Sequence, residues 1–174
     1  VLYLLAAESG GIHLVGRSSR GKTTILVAAG SVWGGGGIRG YRRQWRATLN
    51  GLEGMAALHS DALLLLDEIA EIEGKEAGGV AYMLGNGQGK SRAKRDGSGR
   101  APATWRSLFL STGETTLADK IQEDGRRKAT AGSGVRVADL PAEVGEFGAF
   151  ETIHEATSAD VFADTLRADA ERYY

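Results

Sequence analysis

The run ALLLLDE at residues 62–68 restricts the fold more than any other segment of the chain. A strand with one face in water alternates apolar and polar positions, whereas four successive leucines leave no polar face. Such a strand is covered on both sides, as in a parallel sheet flanked by helices. Neighbouring segments fit that frame. IHLV at 12–15 is a short apolar run between glycines, and TTILVAAGSVW after it carries Ile25, Ala28, Ala29 and Val32 at helical spacing. WRSLFLSTGE at 105–114 predicts another buried strand, and VRVADL at 135–140 a fifth. Gln44 to Leu49 alternates, with Trp45, Ala47 and Leu49 on one side, and predicts a half-buried strand.

Helices fall between these strands. Asn50 with Glu53 forms a capping-box-like start for a helix through Leu52, Met55, Ala56 and His59. A second helix is expected over about 72–84 through Ile72, Val80, Ala81 and Leu84. Thr116 caps a helix through Ile121, and Ser158 caps a last one with Val161, Phe162, Thr165 and Leu166 on its inner face. Strands separated by helices predict an α/β fold with a mostly parallel sheet.

A length of 174 residues suits one domain over 1–174, with a core at about 10–140 and a helical segment at about 150–174. With 42% hydrophobic residues, 25% charged residues and a net charge of -1, the chain is neither a disordered tail nor a uniformly basic nucleic-acid binder. Any anion-binding surface is therefore local. The absence of cysteine excludes disulfides and Cys-ligated metal and fits a cytoplasmic location. VLYLLAA at the start is too short for a membrane span, and a first residue of Val suggests an internal piece of a larger protein. His13, His59 and His154 stand in no metal-ligand spacing and read as packing or surface residues, and Trp33, Trp45 and Trp105 as core. The GGGG at 34–37 reads as a flexible break.

GRSSRGKT at 16–23 fits the G-x-x-x-x-G-K-[ST] pattern, after a predicted strand and before a predicted helix. Gly16 and Gly21 let the backbone curl, so that N–H groups around Ser18, Ser19 and Thr24 face the phosphates of ATP. Lys22 is expected to bridge the β- and γ-phosphates, and Thr23 to ligate Mg²⁺. Asp67, at the end of the leucine strand, is the expected second Mg²⁺ holder, with Glu68 as general base for an attacking water. Capping of the next helix is the bland alternative for both acids. Thr112, then Ser111, at the end of strand 106–112, are candidates to touch the γ-phosphate or the water. Arg126, Arg127 and Arg136 are candidates for a finger reaching a neighbouring subunit's site, Arg136 being the best placed. No Asn-Lys-x-Asp element for reading guanine is present.

KSRAKRDGSGR at 90–100 holds five cations and one Asp-Gly pair. If residues 90–95 are extended, Lys90, Arg92 and Lys94 share a face, Asp96-Gly97 makes the turn, and Ser98 to Thr104 return as the second strand. A basic hairpin results, with Lys90, Arg92, Lys94, Arg95 and Arg100 as candidate DNA contacts; a solvated charged loop is the alternative.

GRSSRGKTT, WRATLNGLEGMAALHSDALLLLDE, AYMLGNGQGKSRAKRDG, ATWRSLFLSTGE and VRVADLPA together resemble, from about Gly10 to Phe162, domain-of-unknown-function family 927 of bacteria, phages and plasmids. The resemblance implies a P-loop ATPase of RecA-like or AAA+-like type, a three-layer sandwich on a five-stranded sheet with the basic hairpin inserted, working as a homo-oligomeric ring. It also implies a helicase or primase-helicase component of a mobile element that acts on DNA, single-stranded by preference, beside other replication proteins. Arg20 stands where that family more often has a small residue. A nucleotide-dependent interaction module or helicase loader that binds ATP and recruits a partner without unwinding is the competing expectation; a small-molecule kinase fits less well, since the acidic pair suits activation of water.

Overall fold

The computed structural model describes residues 2–35, 40–93, 97–123 and 136–173. Strand β1 (Gly10–Val15) leads through the glycine-rich loop to helix α1 (Lys22–Ser31). Next come β2 (Arg43–Gln44), α2 (Leu49–Leu58) and β3 (Leu63–Asp67). A 3₁₀ turn (Ile69–Glu71) and α3 (Gly74–Asn86) follow. The short strands β4 (Arg92–Ala93) and β5 (Gly99–Arg100) precede β6 (Leu108–Gly113), α4 (Leu117–Gln122), β7 (Val137–Pro141) and α5 (Ala159–Arg172).

The main sheet has the order β2-β3-β6-β1-β7, and every neighbouring pair in it is parallel. The expected α/β fold with a five-stranded parallel sheet is what forms. Alternation along the strands divides the core. Leu64, Leu66, Phe109 and Val137 face a buried cluster with Leu52 and Ala56 of α2, Val80 and Leu84 of α3, and Leu117 and Ile121 of α4. Leu65 points the other way, where α1 lies against β3 and β6 and α5 packs on α1. Four leucines in a row are thus used on both faces.

The strand expected over Gln44 to Leu49 stops at Gln44. Among the described residues its strand partners are Leu66 and Asp67, and the Trp45 N–H donates to the Asp67 carbonyl at 3.1 Å. The chain then turns so that Trp45 is buried, and Thr48 caps α2 by accepting from the Gly51 N–H. The cap is therefore Thr48 rather than Asn50, and Leu49 opens the helix. In α5 the inner face is Phe162, Ala163, Leu166 and Ala170, while Val161 and Thr165 are exposed. Thr116 and Ser158 cap α4 and α5 as expected, accepting from the N–H groups of Asp119 and Val161.

Strands β4 and β5 form an antiparallel pair with Arg92 opposite Arg100, and a bridge between Gln88 and Thr104 extends its base. Gly97 has φ +82, the left-handed conformation a tight turn favours. The extended part is shorter than expected, since Lys90 lies outside the strand. Among the described residues, no helix is long and apolar enough to cross a membrane.

Candidate functional site

The carboxyl ends of β1, β3 and β6 lie side by side, so the loop after β1 and the acids after β3 meet at one edge of the sheet. The loop runs from Gly16 to Gly21. Gly21 has φ +88, and a Cβ there would stand 2.9 Å from the Phe150 ring, so both conformation and space require glycine. Ser19 also takes a left-handed conformation, with φ 59, and with Ser18 it is exposed at the tip. Lys22 is buried, and its Nζ donates to the Gly16 and Arg17 carbonyls at 2.6 and 2.7 Å. Thr24 is buried inside the first turn of α1, unlike the exposed Ser18 and Ser19.

The segment after β7 braces the loop from outside, a feature for which the sequence carries no spacing signal. Glu143 accepts from the Arg17 N–H at 3.1 Å, and its other oxygen lies 3.6 Å from Arg20 Nε. The bulky Arg20 is thus directed to Glu143. Ala149 N–H donates to the Arg20 carbonyl, and a Cβ on Gly148 would stand 2.8 Å from that oxygen.

Asp67 is the hub of the acidic side. Thr112 Oγ1 donates to Asp67 Oδ1 at 2.6 Å and accepts from the Glu68 N–H at 3.1 Å. Thr23 Oγ1 lies 3.4 and 3.5 Å from the two Asp67 oxygens. Arg42, which the sequence did not single out, donates to Asp67 Oδ2 at 2.7 Å. Glu68 has φ 59 and ψ 81, a strained conformation for a residue with a Cβ, and its carboxylate accepts from the Ala70 N–H at 3.3 Å. The helix-capping alternative is therefore realised for Glu68, through the 3₁₀ turn. Strain at both Ser19 and Glu68 marks the two sides of one cleft.

Ser111 is not in this cleft. Successive strand residues face opposite ways, so when Thr112 faces Asp67, Ser111 faces the α2–α4 core, where it is fully buried. There Trp45 Nε1–H donates to Ser111 Oγ at 2.8 Å, and Ser111 Oγ and His13 Nδ1 are 2.8 Å apart. His13 Nε2 is 3.0 Å from the Thr115 carbonyl, which can only accept. That contact fixes the tautomer: Nε2 carries the proton, and Nδ1 accepts from Ser111. Burial pushes the His13 imidazole below its ordinary 6.5, against the opposing pull of the Thr115 carbonyl, Asp139 and Glu68. Ser111 therefore belongs to packing beneath the site. Thr112, whose single proton goes to Asp67, holds the two acids in place rather than offering that proton to a ligand.

Arg136 precedes β7, whose first residue pairs with Gly11 near the start of β1, at the sheet edge opposite the loop. A rise of about 3.3 Å per residue puts roughly 16 Å between Gly11 and Gly16. The Arg136 guanidinium stacks over Tyr82 at 5.4 Å, beside a cavity of about 750 Å³ that neither the glycine-rich loop nor Asp67 and Glu68 line. Arg126 and Arg127 lie outside the described residues.

Of the five hairpin cations, Lys94 and Arg95 lie outside the described residues, while Lys90 and Arg100 are exposed. Arg92 is engaged. It donates to both carboxylate oxygens of Glu53, at 3.0 and 2.7 Å, and to Asn50 at 2.7 Å, which ties β4 to α2. Directly opposed cations destabilise a strand pair, and Glu53 neutralises one member of the Arg92–Arg100 pair. Among the described residues no group of three or more His, Asp or Glu is placed to hold a metal ion; Thr23 and Asp67 are the neighbouring oxygens that could face a cation.

The fold is similar to that of a solved structure, SCCmec type IV Cch, an active helicase, with a TM-score of 0.67 and 24% identity. The similarity covers 99% of this chain and 28% of that one, so the chain spans less than a third of the neighbour's length. No curated protein matches the chain. The model of the domain-of-unknown-function family DUF927 matches residues 1–104, which take in the glycine-rich loop, the acidic pair and the hairpin but end before β6. That match extends over more than half of the residues, and the chain belongs to the DUF927 family.

Proposed function

We propose that this chain binds ATP with Mg²⁺ and hydrolyses it, as the P-loop motor part of a DNA-acting protein of the helicase or primase-helicase kind. The observation that carries the reading is the convergence on Asp67: Thr23 from the start of α1 and Thr112 from the central strand both reach one carboxylate, and Lys22, next to Thr23 in the chain, is held on the carbonyls of the glycine-rich loop. A structural ion pair needs no lysine-bearing glycine loop facing it.

The residues fit Mg²⁺, which takes hard oxygens and in nucleotide sites uses one or two protein ligands plus phosphate. Thr23 and Asp67 would hold it, and it would supply neutralisation of the phosphate charge. Gly16 to Gly21 offer backbone N–H groups to the phosphates. Lys22, leaving its loop carbonyls, adds a point charge. Glu68 accepts a proton from water once its carboxylate turns from Ala70, and the strained backbone at Glu68 aims it. Thr112 keeps Asp67 and Glu68 in register. Similarity to an active helicase and the exposed Lys90 and Arg100 support DNA as the partner. Action in a ring and on single strands is part of the same proposal, with a finger arginine supplied by a neighbour.

ATP turnover by an oligomeric full-length protein, with and without single-stranded DNA, tests the reading. Turnover that DNA stimulates and that Glu68→Gln abolishes is expected; no hydrolysis, or none lost in that variant, overturns it. One observation favours a second reading, a nucleotide-dependent module that recruits a partner without unwinding: Arg92 is held by Glu53 and Asn50, which reduces the cations free for phosphate. That reading expects slow turnover indifferent to DNA and to removal of Lys90 and Arg100.

A further inference from the structure

Arg42 sits where a metal-bound nucleotide would have to displace it. Thr23 lies 3.4 and 3.5 Å from the two Asp67 oxygens, Thr112 donates to Oδ1, and Arg42 holds Oδ2 at 2.7 Å, so a cation shared by Thr23 and Asp67 would meet the guanidinium on the same carboxylate. Both side chains are largely enclosed, at 15% and 13% exposure, so this pair is not a solvated surface contact. A guanidinium and a divalent cation repel each other on one carboxylate oxygen. The backbone cannot retreat: Arg43 and Gln44 pair with Leu66 and Asp67, and the Trp45 side chain is bonded into the core. Arg42 is tethered by the paired Arg43 that follows it, so its side chain, once displaced, remains within its own length of Asp67. If Thr23 and Asp67 held a magnesium triphosphate, its terminal phosphate, which carries the most negative charge, would be the anion that draws the displaced guanidinium.

We infer that Arg42 passes from Asp67 to the terminal phosphate when a magnesium triphosphate binds, and so serves as a phosphate ligand supplied by the same chain that favours triphosphate over diphosphate. The inference rests on the nucleotide reading above. Arg suits the task because its planar fork pairs with either a carboxylate or a phosphate through two parallel N–H groups. A lysine could make the ion pair to Asp67 but would meet the phosphate only as a point charge.

The experiment is a fluorescent-nucleotide competition titration on the full-length protein in Mg²⁺, with a non-hydrolysable ATP analogue and with ADP, accompanied by the thermal midpoint without nucleotide. Arg42→Gln is expected to weaken the triphosphate about tenfold or more, as loss of a charged hydrogen bond does, and to change ADP by less than about twofold. Tighter triphosphate binding would make Arg42 a placeholder only, and equal weakening of both nucleotides would make it structural; either overturns the inference. If Arg42→Gln has no thermal transition, Arg42→Lys, which keeps a cation for Asp67, carries the same comparison, with selective loss of triphosphate expected. Lys22→Ala separates the two levels. Loss of both nucleotides in Lys22→Ala with an Arg42→Gln that binds like the parent sinks the inference alone, whereas undiminished binding in Lys22→Ala sinks the nucleotide reading with it.

Discussion

Ser111→Ala removes one oxygen atom from beneath the candidate site, and its cost follows from what that atom joins. The Trp45 indole N–H loses its acceptor and His13 Nδ1 loses its donor, and each side chain is 1% exposed, so neither can turn to water. Each orphaned buried group costs about 1–3 kcal/mol. The serine hydroxyl no longer has to be desolvated, which returns about 1 kcal/mol. The net loss is about 3 kcal/mol, equivalent to a fall of about 6–12 °C in the thermal midpoint for a chain of this length. Urea unfolding followed by tryptophan fluorescence measures it, the midpoint falling with an unchanged slope. Because Ser111 faces away from the glycine-rich loop, nucleotide affinity of the folded variant is expected to stay within about twofold of the parent. A stability loss below about 1 kcal/mol, or weakened nucleotide binding with stability intact, would refute both the hydrogen-bond chain and the placement of Ser111 outside the cleft.

Thr112→Val, the neighbouring change on the other face, has the opposite profile: a modest stability loss of about 1 kcal/mol and, under the proposed function, a fall in ATP turnover of about a hundredfold, read by steady-state hydrolysis. His13 makes stability depend on pH. Its folded-state pKa lies below 6.5, so the unfolded chain binds the extra proton first. Stability is therefore full above 6.5 and declines as pH falls toward the folded-state value, and thermal scans from about pH 8 to about pH 5 should show this slope in the parent and lose it in His13→Gln. Gly21→Ala forces a Cβ to 2.9 Å from the Phe150 ring in a left-handed conformation and should cost about 2 kcal/mol; adding Phe150→Ala relieves the clash but not the backbone strain, a partial recovery visible in chemical denaturation. Arg92→Ala leaves Glu53, only 5% exposed, without its cation. A loss of about 2 kcal/mol is expected, below the full buried-pair cost because Arg92 itself is one-third exposed, with recovery when Glu53→Gln is added.

The parallel sheet was legible because its evidence is redundant. Apolar runs such as LLLLD and LFL need cover on both faces, and the glycine-rich loop fits between a strand and a helix in one order only. Thr116 and Ser158 could be read because a cap is a local event. The strand predicted over Gln44 to Leu49 failed because strand formation depends on a partner, and the partner ends at Asp67. Within the site, Thr23 and Thr112 both reach Asp67, while Lys22 is bonded to the carbonyls of its own loop. The choice between Ser111 and Thr112 turns on parity: the alternation in LFLST tells that only one of them can face Asp67, and which one depends on the packing of Phe109 into the α3 side. Arg42 carries no signal in its spacing, since GYRRQW offers two adjacent arginines and nothing in the sequence says which meets an acid. Glu143 is hidden for a different reason, as it comes from a segment 126 residues away along the chain from the loop residue it holds.

The contact between that segment and the loop sets where the molecule can be cut. A version ending at Pro141 would retain all five strands of the main sheet and every side chain around Asp67. It would lose Glu143 from the Arg17 N–H, Ala149 from the Arg20 carbonyl and the Phe150 ring from Gly21. The minimal unit for engineering or crystallisation is therefore bounded by what stands behind the loop, not by the last strand of the sheet, and its smallest sensible end lies beyond Phe162, whose ring packs edge-on against Phe150.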